Sequence, residues 1–91
     1  ILKYSLPDWP TTQTLGMPPY VKVLGIGLDP HNQPSIWVVG DKEAKAMSYP
    51  LRTFWTGQEF DLDPKDAYGF LGTLKTDDDL ILHYFMGSPA P

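Results

Sequence analysis

The sequence predicts an all-β, mainly antiparallel domain: a small β-sandwich or open barrel of about six short strands, with at most one short helical turn. Ten prolines and eight glycines divide the 91 residues into short segments. Within these segments the apolar residues mostly recur at every second position, as half-buried strands require. The length fits one domain, which we assign to residues 1–91.

The first predicted strand covers residues 1–6, where apolar and polar side chains alternate. Pro7 ends it, because proline cannot donate a hydrogen bond to a β-ladder. Residues 7–19 (PDWPTTQTLGMPP) contain four prolines. We therefore expect them to form a surface loop.

The second and third predicted strands, residues 20–28 and 34–40, form a hairpin whose connector Asp-Pro-His-Asn-Gln is typical of a turn. Gly25 and Gly27 leave one side of the second strand without side chains. We predict that the ring of Trp37 fills this space from across the hairpin, and close approach of a ligand is the alternative.

The fourth predicted strand spans residues 46–57 and contains Pro50 near its middle. Because proline interrupts a central ladder, we expect an edge strand or a bulge at that residue. An apolar edge strand invites pairing with another chain. The sequence therefore predicts a homo-oligomer, most simply a two-fold dimer, with residues 46–56 at or near the contact.

The remaining segments are shorter. Residues 63–66 (DPKD) place an N-cap residue before proline, which suggests one helical turn. Residues 70–75 and 80–86 form the last predicted hairpin, around the turn 76–79. We expect residues 87–91 to be a flexible tail.

The charge distribution excludes some partners. The net charge is −4, and residues 46–91 carry seven acids against three basic residues. Such a balance repels phosphate backbones and anionic lipids, so we expect neither general nucleic-acid binding nor membrane binding. No apolar run is long enough for a membrane span, and the start lacks the features of a signal peptide. These features favour a cytoplasmic protein.

No catalytic or metal-binding motif is present. The serines lie in no nucleophile-elbow context, and no cysteine is available as a metal ligand. The aspartates at 61, 63 and 66 lack the glycine and distant glutamate of a calcium loop. The sequence therefore predicts a protein that is not an enzyme and needs no cofactor or metal.

The candidate ligand-binding residues combine a guanidinium group with aromatic rings, which suits an anionic ligand that carries a ring. Arg52 is the only arginine, and His83 alternates with apolar residues on the last strand. The alternatives are a surface arginine paired with an acid and a core histidine bonded to the backbone. The predicted set is Arg52, His83, Trp37, Trp55, Tyr20 and Lys22.

Short motifs along nearly the whole chain resemble a family of small uncharacterised bacteriophage and prophage proteins, a domain of unknown function. These motifs are Ile1-Leu2-Lys3-Tyr4-x-Leu6, Met17-Pro18, the Val21 to Leu28 strand, Gln33-Pro34-Ser35-Ile36-Trp37, Arg52-Thr53-Phe54-x-Thr56-Gly57, Phe70-Leu71-Gly72-Thr73 and Leu82-His83-x-Phe85. Two positions depart from the pattern: Trp55 replaces a glycine, and Thr76-Asp77-Asp78-Asp79 replaces a glycine-rich turn.

The resemblance implies a phage accessory protein in the cytoplasm of an infected bacterial host. Its first expected role is a non-catalytic binder that counters antiviral defence by sequestering a small anionic, nucleotide-type signal. One alternative is a direct inhibitor of a host defence nuclease or effector, for which the acidic second half of the chain would supply the surface. A second alternative is a structural or interaction protein of the phage.

Overall fold

Seven β-strands make up the described part of the chain, which comprises residues 1–59, 62, 68–76 and 79–90 of a computed structural model. The strands are β1 (Leu2–Ser5), β2 (Thr11–Met17), β3 (Lys22–Leu28), β4 (Pro34–Val39), β5 (Met47–Trp55), β6 (Gly69–Lys75) and β7 (Ile81–Met86). All their pairings are antiparallel. The predicted all-β, mainly antiparallel class is confirmed, with one strand more than predicted.

The strands form two open sheets, one in the order β1-β4-β3 and the other in the order β2-β5-β7-β6. Inward-facing side chains of both sheets meet in one core. Its buried members are Leu6, Met17, Ile36, Val38, Tyr49, Leu51, Leu82 and Tyr84. The sheets approach closely where β6 passes β3: a Cβ on Gly72 would lie 2.8 Å from Cδ1 of Ile26. The described strands therefore form an open sandwich and not a closed barrel.

Strand β2 lies within the segment for which the sequence predicts a surface loop, and that prediction is wrong. The prolines flank the strand, so β2 pairs with β5 over seven residues without a register shift. Buried tyrosines hold both of its ends. The Tyr84 hydroxyl donates to the Pro7 carbonyl and the Tyr49 hydroxyl to the Pro18 carbonyl, each over 2.6 Å. These bonds satisfy two buried hydroxyl groups while fixing the path of the proline-rich chain.

Strand β5 is central, so the prediction of an edge strand, or of a bulge at Pro50, is wrong. It lies between β2 and β7. A residue in an antiparallel strand directs its N–H and C=O groups to the same neighbour. The Pro50 carbonyl accepts a hydrogen bond from the Gly87 amide over 2.8 Å. The missing N–H of Pro50 therefore faces the chain just beyond the end of β7, where no regular ladder is interrupted.

The chain after β7, which the sequence predicts to be a flexible tail, is hydrogen-bonded to β5 in its described part. Ser48 and Ala90 exchange two backbone hydrogen bonds of 2.8 Å each. The ring of Pro50 lies so close to Gly87 that a Cβ on the glycine would be 2.8 Å from the proline Cγ. A side chain at position 87 would therefore displace this contact.

The hairpin of β3 and β4 has the predicted ring against one of its two glycines. Cζ3 of Trp37 lies 3.5 Å from the position that a Cβ on Gly27 would occupy, and Gly25 is the register partner of Trp37. The predicted ring contact is confirmed at Gly27, whereas no atom lies within 4 Å of the Cβ position at Gly25. The helical turn predicted at residues 63–66 lies outside the described residues. Within the described part, no helix is long and apolar enough to cross a membrane.

Candidate functional site

Four ring-bearing side chains share the outer face of the four-stranded sheet. Strand alternation turns Leu51 and Leu82 towards the core and the residues next to them outwards. The register aligns Phe54 with His83, and it aligns Phe85 with Phe70 on the other side. We call the set Phe54, Phe70, His83 and Phe85 the aromatic face.

The phenylalanines of the aromatic face form a continuous chain of ring contacts. The centroids of Phe54 and Phe85 lie 5.9 Å apart at an interplanar angle of 78°, and those of Phe85 and Phe70 lie 5.2 Å apart at 53°. Phe54 is only 4% exposed, whereas Phe70 is 60% exposed. The cluster therefore has a buried base and an exposed outer ring.

The predicted candidate Arg52 lies at the border of the aromatic face. Its Cζ atom is 5.1 Å from the centroid of the Phe54 ring, within the range of a cation–π contact. Its register partner on β7 is Phe85. The structure thus brings a positive charge next to two rings of the cluster.

His83 is fixed by two threonine hydroxyls. Its Nε2 lies 2.7 Å from Oγ1 of Thr56, and its Nδ1 lies 2.9 Å from Oγ1 of Thr73. Thr73 is its register partner on β6, and Thr56 follows the last residue of β5. The histidine is half-buried on the outer face, so it differs from the alternative of a core histidine bonded to the backbone.

The two contacts of His83 set the hydrogen-bonding roles of its neighbours. One ring nitrogen of a neutral imidazole donates and the other accepts. One threonine hydroxyl therefore accepts from the ring and keeps its own O–H for another partner, while the other hydroxyl donates to the ring and keeps its lone pairs. Exchange of the tautomer exchanges these roles. The arrangement can accordingly offer either a donor or an acceptor at Thr56.

A concave cavity of about 280 Å³ opens on this face. Its walls combine the aromatic face with the turn that follows β5. The lining residues are Phe54, Trp55, Thr56, Gly57, Gln58, Phe70, His83 and Phe85. Small-molecule sites typically measure roughly 300–1,000 Å³. The cavity thus has the size of a site for one small ring system, with Thr56 and His83 among its polar groups.

The structure brings together three of the six predicted binding residues. Trp55 lines the cavity with His83, and Arg52 lies beside it. Trp37 belongs to the other sheet, where it covers Gly27. The remaining two candidates do not line this cavity: Lys22 is the first residue of β3, and Tyr20, which is 99% exposed, lies in the turn before that strand.

Lys3 forms an ion pair on the three-stranded sheet. Its Nζ lies 3.0 Å from Oδ2 of Asp29, a buried residue. The other carboxylate oxygen of Asp29 accepts the backbone N–H groups of His31 and Gln33. The Gln33 amide, followed by the ammonium group of Lys3, lowers the pKa of Asp29 to about 2. This cation has a structural partner within the fold.

The acidic residues provide little further chemistry in the described part of the chain. Asp79 is exposed and pairs with Lys75 over 3.2 Å. The aspartates at 61, 63, 66, 77 and 78 lie outside the described residues. Among the residues that are described, no group of three or more His, Asp or Glu side chains is placed to hold a metal ion.

Comparison with protein families gives one match. The family described as Domain of unknown function (DUF7352) matches residues 1–91. The chain belongs to this family. The predicted resemblance is therefore correct in that a domain of unknown function covers the whole chain, and the phage origin stays a prediction. Comparisons of this DUF7352 chain with curated proteins and with solved structures found no match.

Sequence reasoning missed the two threonines of this DUF7352 chain that position His83. Thr73 could have been inferred from the register of the last hairpin, because a seven-residue strand and a six-residue strand joined by a short turn have few registers. Thr56 gave no such signal, since its position depends on the turn after β5. That turn closes when the Trp55 backbone N–H donates to Oε1 of Gln58 over 3.0 Å.

Proposed function

We propose that this protein is a non-catalytic binding domain whose cavity on the aromatic face takes a small nucleotide-type ligand. The observation that carries the proposal is the cavity itself, in which exposed phenylalanine surface lies next to His83 and its threonine partners. Aromatic rings bind bases by stacking, at about 1–3 kcal/mol per base.

The polar groups of the cavity suit the edge of a heterocyclic base. Thr56 lines the cavity and contacts His83, so its remaining donor or acceptor capacity is fixed by the histidine tautomer. A base edge offers donors and acceptors side by side. One exposed ring and one oriented hydroxyl are therefore the minimal elements of base recognition here.

The anionic part of the ligand is assigned to the positive charge of Arg52. Its guanidinium group lies over Phe54, a residue that lines the cavity. A base held against Phe70 would direct an attached phosphate towards this charge. The comparison of nucleoside with nucleotide tests this orientation.

The biological role within this proposal follows from the resemblance to phage proteins. A small protein that sequesters a nucleotide signal would counter host antiviral defence without catalysing a reaction. The direct inhibitor of a defence protein stays a prediction, and so does the structural role in the phage. No described contact favours either of these alternatives over a ligand-binding cavity.

Isothermal titration calorimetry against cyclic and linear nucleotides, with the matching nucleosides, tests the proposal. We expect at least one nucleotide to bind, and Phe70→Ala to weaken it by about tenfold or more because a stacking ring is lost. Thr56→Val should weaken binding while preserving side-chain shape. Arg52→Gln should weaken the nucleotide and spare the nucleoside.

Tyr20→Ala is the matched control, since it removes an exposed ring that does not line the cavity. Each variant should keep the unfolding midpoint of the wild type. The proposal fails if no compound gives heat at a protein concentration of about 100 times a micromolar dissociation constant. It also fails if Phe70→Ala and Tyr20→Ala weaken binding equally.

A further inference from the structure

The four edge strands of the described part of the chain differ in how they are protected against pairing with another chain. An edge strand exposes unpaired N–H and C=O groups, and natural proteins protect it with lysine, proline, bulges or short length. β1 has only four residues and contains Lys3. β3 and β6 contain Lys22 and Lys75, and a register shift interrupts each of them.

Strand β2 has none of these protections. Its seven residues, TTQTLGM, include no charged side chain and no proline. Its ladder with β5 is continuous from Thr11 to Met17 without a register shift. Thr12, Gln13 and Thr14 are exposed. β2 is therefore a long, regular and uncharged edge on the four-stranded sheet.

The backbone hydrogen bonds of β5 show which N–H and C=O groups of β2 face outward. Ser48 and Pro50 direct their backbone groups away from β2, because they bond to Ala90 and Gly87. Ser48 is the register partner of Gly16 on β2, and Pro50 is the partner of Thr14. Neither of these pairs is hydrogen-bonded, so Gly16 and Thr14 also direct their backbone N–H and C=O groups away from β5. By alternation Thr12 does the same. Three residues at every second position thus offer N–H and C=O groups to the open edge.

We propose that the open edge of β2 pairs with β2 of a second copy of this chain in an antiparallel two-fold dimer. With the axis at Thr14, that residue faces its own counterpart, and Thr12 faces Gly16 of the other copy. Each of these pairs exchanges two backbone hydrogen bonds. The two four-stranded sheets then form one continuous sheet across the dimer.

A second copy fits this edge better than it fits the other three. Self-pairing of β2 brings no like charges together, whereas self-pairing of a strand that contains lysine brings two cations close to each other. The pattern of outward-facing groups is symmetric about Thr14, as an isologous contact requires. Thr14 also places two β-branched side chains side by side, a favourable cross-strand pair.

Analytical ultracentrifugation or light scattering of the purified chain tests the dimer. We expect a mass of twice 10.2 kDa at tens of micromolar and dissociation on dilution. A mass of 10.2 kDa throughout this range overturns the proposal. This outcome is independent of ligand binding, because the cavity is lined by residues of β5 to β7 and their turns.

Substitutions at Thr14 test whether the edge of β2 forms the dimer contact. Thr14→Lys adds the protection that β2 lacks, and Thr14→Pro removes an N–H that is not used by the ladder with β5. Each should raise the dimer dissociation constant by about tenfold or more, because the change occurs in both copies. Ser5→Lys, on an exposed residue of β1, is the charge-matched control and should leave the dimer intact. A dimer that survives both Thr14 variants contradicts the proposal.

Amide hydrogen exchange tests the register without any substitution. The amides of Gln13 and Leu15 bond to β5 and should be protected at every concentration. The amides of Thr12, Thr14 and Gly16 should become protected only at concentrations where the dimer forms. Equal protection of both sets in monomer and dimer would place the contact elsewhere.

Discussion

The outer faces of the two sheets differ in how far their aromatic rings are covered. On the three-stranded sheet, the Trp37 ring packs against Gly27 of β3, and Lys3 is paired with Asp29. On the four-stranded sheet, Phe70 remains exposed at a cavity, and Arg52 lies over a ring at its border. The difference comes from the neighbouring strand. On β3, Gly27 has no side chain, so the Trp37 ring can pack onto its own sheet. On the four-stranded sheet, threonine and phenylalanine side chains project from the neighbouring strands, and a cavity lies between them.

The largest expected effect comes from truncating the core on either sheet. Ile36 and Leu82 are both fully buried, one in each sheet, in the same core. Ile36→Ala and Leu82→Ala should each lower the free energy of unfolding by about 2–5 kcal/mol. Urea denaturation followed by tryptophan fluorescence and circular dichroism should give one coincident transition.

Leu24→Ala is the control for this comparison, because Leu24 is 50% exposed. It should change the free energy of unfolding by no more than about 0.5 kcal/mol. Two separate transitions in either core variant would contradict the shared core and would show that the sheets unfold independently.

An intermediate effect is expected where the sheets meet at Gly72. Its φ of 153° is unusual for other residues, and a Cβ would lie 2.8 Å from Ile26. Gly72→Ala should cost about 1–3 kcal/mol of stability, from steric overlap and backbone strain. Adding Ile26→Val should recover part of this loss by removing Cδ1. Thermal or urea unfolding of the single and double variants measures the coupling.

Gly25→Ala is the matched control, since Gly25 is also a strand glycine and no atom lies within 4 Å of its Cβ position. It should have a much smaller effect than Gly72→Ala. If Ile26→Val recovers nothing in the Gly72→Ala background, the overlap with Cδ1 of Ile26 is not the source of the loss.

The smallest expected effect is the pH dependence of the three-stranded sheet. The pKa of Asp29 is lowered from 3.8 to about 2 by the Gln33 amide and by Lys3. Because the folded pKa lies below the unfolded one, its stabilisation is present above about pH 4 and is lost as the pH falls towards 2. Asp29→Asn keeps an oxygen that can accept the backbone amides, and it removes the charge.

Urea midpoints of wild type and Asp29→Asn measured from pH 7 to pH 2 test this effect. The advantage of the wild type should be constant down to about pH 4 and should shrink below it. Lys3→Gln should reproduce part of the loss at neutral pH. An advantage that stays constant down to pH 2 would contradict a lowered pKa of Asp29.

The sequence alone predicts the six strands in which apolar residues alternate, but it does not predict β2. That strand lies at an edge, so threonine and glutamine occupy most of its positions, and only Leu15 and Met17 provide apolar side chains next to β5. Its flanking prolines suggested a loop, although they cap the strand without entering it. The position of β5 was missed for a related reason: the effect of Pro50 depends on which neighbour its missing N–H faces.

The candidate site was predictable only in part. His83, Phe85 and Arg52 follow from strand alternation, which is a local property of the chain. Their partners do not, because the contact of His83 with Thr56 depends on how the turn after β5 closes. Trp37 and Tyr20 were grouped with them by residue type, and only the pairing of strands shows that they belong to other parts of the molecule.

Trp55 stands in edge-to-face contact with Trp9, with ring centroids 6.0 Å apart at 85°. Indoles this close couple their electronic transitions, and one of the two borders the cavity. The molecule therefore carries an intrinsic optical reporter of its own cavity. A compound that displaces the Trp55 ring should alter both the emission and the coupled circular dichroism of the pair, while Trp37 on the opposite sheet supplies an unchanged background signal.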